Sequence, residues 1–227
     1  MKLLALDTAT EACSAALYLD GEISQQLRVT PRAHSHLILP MIDQLLADAG
    51  LSVSGLDALA FGRGPGSFMG VRIAAGVVQG IAFAWDLPVV PISTLAAIAQ
   101  TAYADTGANR VLAAIDARMN EVYWAAYVLS AQACMHVVGQ EEVIDPARVS
   151  SPKGGGWTGA GTGWATHGEV LRTAIGAEVL RSVVPDCLPT AAAIARLAAA
   201  DYAAGRHVSA AEAVPVYLRD KVAKKLG

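Results

Sequence analysis

Short apolar runs and a few long amphipathic stretches divide the first hundred residues. Residues 3–6 are continuously apolar and stop at Asp7, the pattern of a buried strand. Residues 13–19 and 22–29 flank Asp20-Gly21, a two-residue hairpin signal, so the chain is predicted to open β-β-β. A helix is predicted from His34 to about Ala49, with Leu37, Met41, Leu45 and Ala49 on one stripe and Gly50 suited to its C-cap. Pro40 is tolerated there because it lies near the first turn. An apolar strand over 56–61, a helix over 70–85, a strand over 88–92 and a helix from Ser93 as N-cap through Tyr103 follow. Residues 104–109 are polar and break the pattern, which places a boundary between a first lobe, 1–104, and a second, 105–227.

Sliding the chain by 109 residues against itself sets Leu3-Leu-Ala-Leu-Asp7 beside Leu112-Ala-Ala-Ile-Asp116, and Ala16-Leu-Tyr18 beside Ala125-Ala-Tyr127. The match is short in an alanine-rich chain, but it begins just past the inferred boundary. It therefore reads as duplication of a β-β-β-α unit. The second half is expected to continue with a strand over 135–138, a glycine-rich loop over 154–164, and helices near 164–175 and 190–204. The last of these helices is a candidate to pack back on the first lobe. Arg219, Lys221, Lys224 and Lys225 give the tail a basic, solvated end.

Between the strand ending at Phe61 and the helix over 70–85 stands Gly62-Arg-Gly-Pro-Gly-Ser-Phe-Met-Gly70. Glycine permits backbone angles and close approaches that a side chain forbids, and Pro65 stiffens the turn. Two readings fit. Free amides at a helix N-terminus favour an anion, which makes a phosphate cradle; alternatively, Gly64, Gly66 and Gly70 are a structural turn that packs a helix onto a sheet. The stretch lacks the Gly-Lys-Ser/Thr ending of a P-loop and does not complete the dinucleotide fingerprint.

Composition narrows the function classes. Only 16% of the residues are charged and 54% are apolar, which leaves apolar area for a partner face. A net charge of -3 argues against gripping nucleic acid alone, since phosphate contacts need a basic field. Cys13, Cys134 and Cys187 are odd in number and widely spaced, the usage expected of free thiols in the cytoplasm. Asp7 ends the first apolar run too early for a signal peptide, and the 70–85 helix reads as too short for a membrane span.

Candidate chemistry is sparse. Of the five histidines only His34 and His36 are close, and their i, i+2 spacing points them to different sides of a helix, so no metal site is expected. Ser67 lacks a base near it in sequence for nucleophilic work. Asp116-Ala-Arg118 is either a charged pair at the start of a hairpin or a carboxylate facing a cleft, and Asp7 carries the same ambiguity. Asp7, Thr8, Thr10, Ser67 and Asp116 are the candidate lining of any residual ligand site, with no catalytic residue assigned.

Two lobes that each open with a β-Asp turn resemble the actin, sugar-kinase and heat-shock ATPase superfamily, an α/β fold with nucleotide between related lobes. The phosphate hairpin of that superfamily reads Asp-x-Gly-Thr/Ser; here it is Asp7-Thr-Ala-Thr10, and Ala9 replaces the glycine that lets phosphate approach. The combination of Asp7-Thr-Ala-Thr10, His34-Ser35, Gly64-Pro-Gly-Ser-Phe-Met-Gly-Val-Arg-Ile73, Asp116-Ala-Arg-Met-Asn-Glu-Val-Tyr-Trp124 and Tyr217-Leu-Arg219 is similar to the bacterial TsaB (YeaZ) family. Met69 stands where that family usually has Thr. The resemblance implies a two-lobed actin-like fold and a non-catalytic partner of TsaD in making threonylcarbamoyladenosine on tRNA, with TsaE as the ATPase. It implies no cofactor on this chain, ATP entering only through TsaD and TsaE, and tRNA contact only within the complex. It also implies pairing through the helices of the first lobe, by a face holding His36, Val71, Arg72, Ala75, Val78, Gln79 and Ala82 with Val78 outward, and a homodimer through the same face when alone. The alternatives are an ATP-dependent phosphoryl-transfer enzyme or ATPase of the superfamily, and a glycoprotease-like peptidase, for which no site residues stand out.

Overall fold

The computed structural model describes residues 1–30 and 32–219, so Lys221, Lys224 and Lys225 lie outside the described residues. The first half runs β1 (Lys2–Asp7), β2 (Ala12–Leu19), β3 (Glu22–Val29), α1 (His34–Asp48), β4 (Ala58–Gly62), α2 (Phe68–Trp85), β5 (Val89–Ile92) and α3 (Thr94–Thr106). The second runs β6 (Arg110–Asp116), β7 (Val122–Leu129), β8 (Met135–Ile144), β9 (Trp157–Ala160), α4 (Thr162–Ile175), β10 (Leu180–Val184) and α5 (Ala191–Ala203).

Each half builds one sheet, ordered β3-β2-β1-β4-β5 and β8-β7-β6-β9-β10. In both, the first three strands pair antiparallel and the last two join parallel to the first. The short repeat in the sequence thus marks two copies of one topology. The helices are exchanged between them. α1 and α2 cover one face of the first sheet, where Ile38, Met41, Leu45, Ala74 and Val78 pack on Leu4, Leu6 and Leu17. Its other face receives α5 from the end of the chain, through Ala191, Ile194 and Ala198. The second sheet takes α3 on one face, by Leu95, Ile98 and Ala102, and α4 on the other, by Leu171 and Ile175.

Four elements depart from the sequence reading; one is β10, the edge strand beside β9, which has no counterpart in that reading. The glycine-rich stretch expected as loop contains β9, a four-residue strand between β6 and β10. Its Gly159 lies under the Trp164 indole, 2.5 Å from where a Cβ would stand, so the glycine is there to let a ring lie on the strand. β8 continues to Ile144 through polar residues because it is an edge strand with one open face. α2 begins two residues before the expected start and reaches 18 residues, long and apolar enough by composition to cross a membrane. Its Ala74, Ala75, Val78 and Ala82 are buried on the first sheet, the packing of a core helix.

Candidate functional site

The lobes face each other across a cleft of about 810 Å³, with the β1–β2 turn and the start of α2 on one wall and the β6–β7 turn and the start of α4 on the other. The first wall is closed by backbone packing. A Cβ at Gly66 would stand 2.4 Å from the Ala9 carbonyl oxygen, and one at Gly70 2.0 Å from that of Thr8. Ser67 N–H donates to Ala9 O at 2.7 Å. Thr8 Oγ1 donates to Gly70 O at 2.6 Å and accepts from Ala74 N–H at 3.1 Å. Gly66 and Gly70 therefore seat α2 on the β1–β2 turn, and the Thr8 hydroxyl, the Ala9 carbonyl and the Ser67 and Gly70 amides are engaged with one another. Ser67 caps α2, its Oγ accepting from Gly70 N–H at 3.4 Å.

Of the candidate lining, Thr10, Ser67 and Asp116 border the cleft and Thr8 lies in its floor with its hydroxyl engaged. Asp7 does not reach it. Its side chain is fully buried beneath the turn, Oδ1 accepting from Ala9 N–H at 3.0 Å and Oδ2 without a partner against Gly62. Burial pushes its pKa from 3.8 up to about 7. The unfolded chain ionises Asp7 near pH 4, so between about pH 4 and 7 folding takes up a proton and stability falls as pH rises. Going from pH 5 to pH 8 should cost the wild type about 3 kcal/mol through this group, at about 1.4 kcal/mol for each pH step of one between the unfolded and folded ionisations. Asp7→Asn should remove most of that slope. Urea titrations at the two pH values check it; parallel losses in wild type and variant would show that Asp7 ionises as freely folded as unfolded.

His34 opens α1 and ties it to the hairpin, its Nε2 lying 2.9 Å from Thr10 O. On the second lobe, Asp116 Oδ1 accepts from Arg118 N–H at 3.0 Å, Oδ2 lies 3.2 Å from the Arg118 guanidinium, and its N–H donates to Thr162 Oγ1 at 3.3 Å. His167 Nε2 stands 3.5 Å from Asp116 Oδ1 and is buried without a hydrogen bond. Nothing in the sequence links this histidine to Asp116; in the fold it interrupts α4, with φ -121° and ψ 18°. The β6–β7 turn holds Arg118, Met119 and Asn120 consecutively at φ 60°, 54° and 59°. Left-handed backbone costs a non-glycine residue roughly 1 kcal/mol or more, so such a run needs support from outside. Arg219 gives it, donating to Ala117 O at 3.0 Å and to the Glu121 carboxylate. No group of three His, Cys, Asp or Glu able to hold a metal occurs among the described residues.

The expected partner face needs correction. Val71, Ala75, Val78 and Ala82 are each no more than 3% exposed; the last three belong to the core of the first lobe, and Val71 lies against the glycine turn at Gly64. A helix whose only polar side chains after its first turn are Arg72 and Gln79 turns that stripe outward and buries the one opposite, where Val and Ala gain more contact than glycines would. Gly76 and Gly80 therefore point outward with open space where a Cβ would stand, between Met69, 63% exposed, and Phe83, 85% exposed. Arg72 and His36 are exposed and Gln79 is half-buried.

Two sheets of one topology around an interlobe cleft define an actin-like two-lobed α/β protein. The family model described as TsaD: tRNA N6-adenosine threonylcarbamoyltransferase matches residues 26–225. The chain is 44% identical to the tRNA threonylcarbamoyladenosine biosynthesis protein TsaB of Escherichia coli (strain K12), over 99% of this chain and 97% of that protein. It is 42% identical to the protein of that name from Haemophilus influenzae, over 99% and 96%. The solved structure of YeaZ from Pseudomonas aeruginosa superposes with a TM-score of 0.89 at 48% identity, over 96% of this chain and 99% of that one. The chain belongs to the TsaB (YeaZ) family.

Proposed function

We propose that this chain acts in threonylcarbamoyladenosine biosynthesis on tRNA as a non-catalytic cytoplasmic scaffold that docks on TsaD and supports its transferase reaction. The observation that carries the reading is the outward face of α2, where Met69, Gly76, Gly80 and Phe83, beside exposed Arg72, form an apolar strip with a glycine floor on which another helix can lie closely. The neighbouring α1 adds His36 and Leu39, both exposed. A specific contact there would bury on the order of 1,200–2,000 Å² in total. When alone, the chain pairs with a second copy through the same strip. The non-catalytic role is supported by Thr8, Ala9, Gly66 and Gly70, whose polar groups and space are taken up by contacts with one another. ATP accordingly enters with TsaD and TsaE, and tRNA binds only to the assembly, since a net charge of -3 gives this chain no field of its own to hold phosphates.

Reconstitution tests the reading. Purified TsaD and TsaE with tRNA, a preformed activated threonylcarbamoyl donor and ATP should modify tRNA only when this chain is added, while calorimetry of the chain alone shows no micromolar ATP binding. Full modification without it, or tight ATP binding by the isolated chain, would contradict the proposal.

A further inference from the structure

Residues 214–219 bridge the two lobes, touching residues 63–72 of the first and the 117–121 turn of the second. At the near end, Val216 N–H donates to Arg63 O at 2.8 Å, and Val216 O lies over Gly64, 2.9 Å from where a Cβ would be. The Tyr217 ring sits 6.1 Å from the Phe68 ring in the first turn of α2. The Arg72 guanidinium lies over both, 3.3 Å from the centroid of Phe68 and 5.1 Å from that of Tyr217. Two residues on, Arg219 has crossed to the second lobe. There it donates to Ala117 O and Glu121 and lies 3.5 Å from Met119 Sδ.

The two ends differ in kind. The near end is an exposed aromatic and cationic stack, Phe68 at 60% and Tyr217 at 46% exposure, at the start of the helix whose outward face is free. The far end is a partly buried guanidinium holding three consecutive left-handed residues in place. Inside that turn the holding bonds are few: Ala117 N–H to Glu121 O, Glu121 N–H to Arg118 O, and Arg118 N–H to Asp116. Leu218 alone separates Tyr217 from Arg219. A shift of the stack is passed on through one residue, Leu218, which sits at a bend, with little chain to absorb it.

We propose that residues 214–219 are an interlobe clasp that couples the first turn of α2 to the 117–121 turn, so that contact at Phe68, Met69 or Arg72 resets the second wall of the cleft, where Asp116 and Arg118 stand. The coupling is a property of the chain by itself; only the identity of the contacting partner rests on the docking reading above. Arg219 is a positioning residue, acting on the cleft through the turn it holds.

Hydrogen exchange on the full chain tests the coupling without a partner. Tyr217→Ala removes a ring stacked on the first lobe, yet it should speed exchange at the Arg118 and Glu121 amides at least tenfold. Arg219→Ala should do the same and also speed exchange at Val71 and Arg72. Arg219→Lys, which keeps the charge and a single donor nitrogen for Ala117 O and Glu121 but is shorter and loses the Nη1 contact with Met119, should fall between. Phe68→Ala, from the other side of the stack, should reproduce Tyr217→Ala and serves if that variant unfolds. Changes confined to the substituted end would overturn the clasp and leave two independent local contacts. Adding TsaD to the wild type should protect both the start of α2 and residues 117–121. Protection at α2 without any at 117–121 contradicts the coupling. Absence of protection at α2 contradicts the docking reading alone, and the partner-free exchange then decides on the clasp.

Discussion

Gly70→Val is expected to cost at least about 3 kcal/mol and to lower the melting temperature by roughly 6–12 °C. The Cβ it introduces would stand 2.0 Å from Thr8 O and 3.1 Å from Thr8 C, which are backbone atoms with no rotamer to give. Thr8 is itself held by the two bonds of its hydroxyl to α2, and β1, which leads into it, lies between β2 and β4. Relief therefore requires α2 to move off the sheet on which Ala74, Ala75 and Val78 are buried. Ser67→Ala, three residues earlier, loses one cap bond and should cost about 1 kcal/mol. Urea or thermal melts of the two variants check the order. A milder effect of Gly70→Val than of Ser67→Ala would show that the turn is not a packing element and would return Ser67 to consideration as a ligand group.

Phe83→Glu should reduce affinity for TsaD at least a hundredfold while shifting the melting temperature by less than about 2 °C. The side chain is 85% exposed in the isolated chain, so folding gains little from it, and surface changes of this kind stay within about 0.5 kcal/mol. In a docked complex the same position would bury an unpaired carboxylate, which costs about 3–5 kcal/mol. Gly76→Leu, also outward and with open space around it, should act alike by holding a partner helix away from the glycine floor. Val170→Glu on α4, at an exposed apolar site of the second lobe, is the control and should leave binding unchanged. Binding measured by surface immobilisation or co-purification separates the three.

What the chain disclosed about itself followed from signals that are local. Asp20-Gly21 marks the first hairpin because both residues sit at positive φ, 50° and 108°. Ser93 was readable as a cap and bonds the amides of Leu95 and Ala96. The short repeat was enough to indicate two units because an apolar strand ending in Asp is required at the same place in each topology. What stayed hidden depended on distant neighbours. The orientation of α2 was marked only faintly, by Arg72 and Gln79 on the stripe that faces outward, because a nearly all-apolar helix has little polar face to show which stripe meets the sheet. β9 was obscured because Gly159 serves a ring five residues ahead rather than a turn. Asp7 and Asp116 look equivalent in the repeat, yet one is sealed under the glycine turn while the other borders the cleft beside His167. That difference arises from the packing of Gly62 and Ile194 around Asp7, residues far from it in sequence.

The scaffold reading separates most sharply from an enzymatic one when variants of the cleft and of the α2 face are compared in a single assay. Threonylcarbamoylation of tRNA would be followed with TsaD, TsaE and either wild-type chain, Ser67→Ala, Asp116→Asn or Phe83→Glu, each first shown to be folded. A scaffold that acts by docking leaves the rate with the two cleft variants within about twofold of wild type and loses it with Phe83→Glu. Loss of product with Asp116→Asn or Ser67→Ala at undiminished TsaD binding, together with full activity of Phe83→Glu, would contradict it.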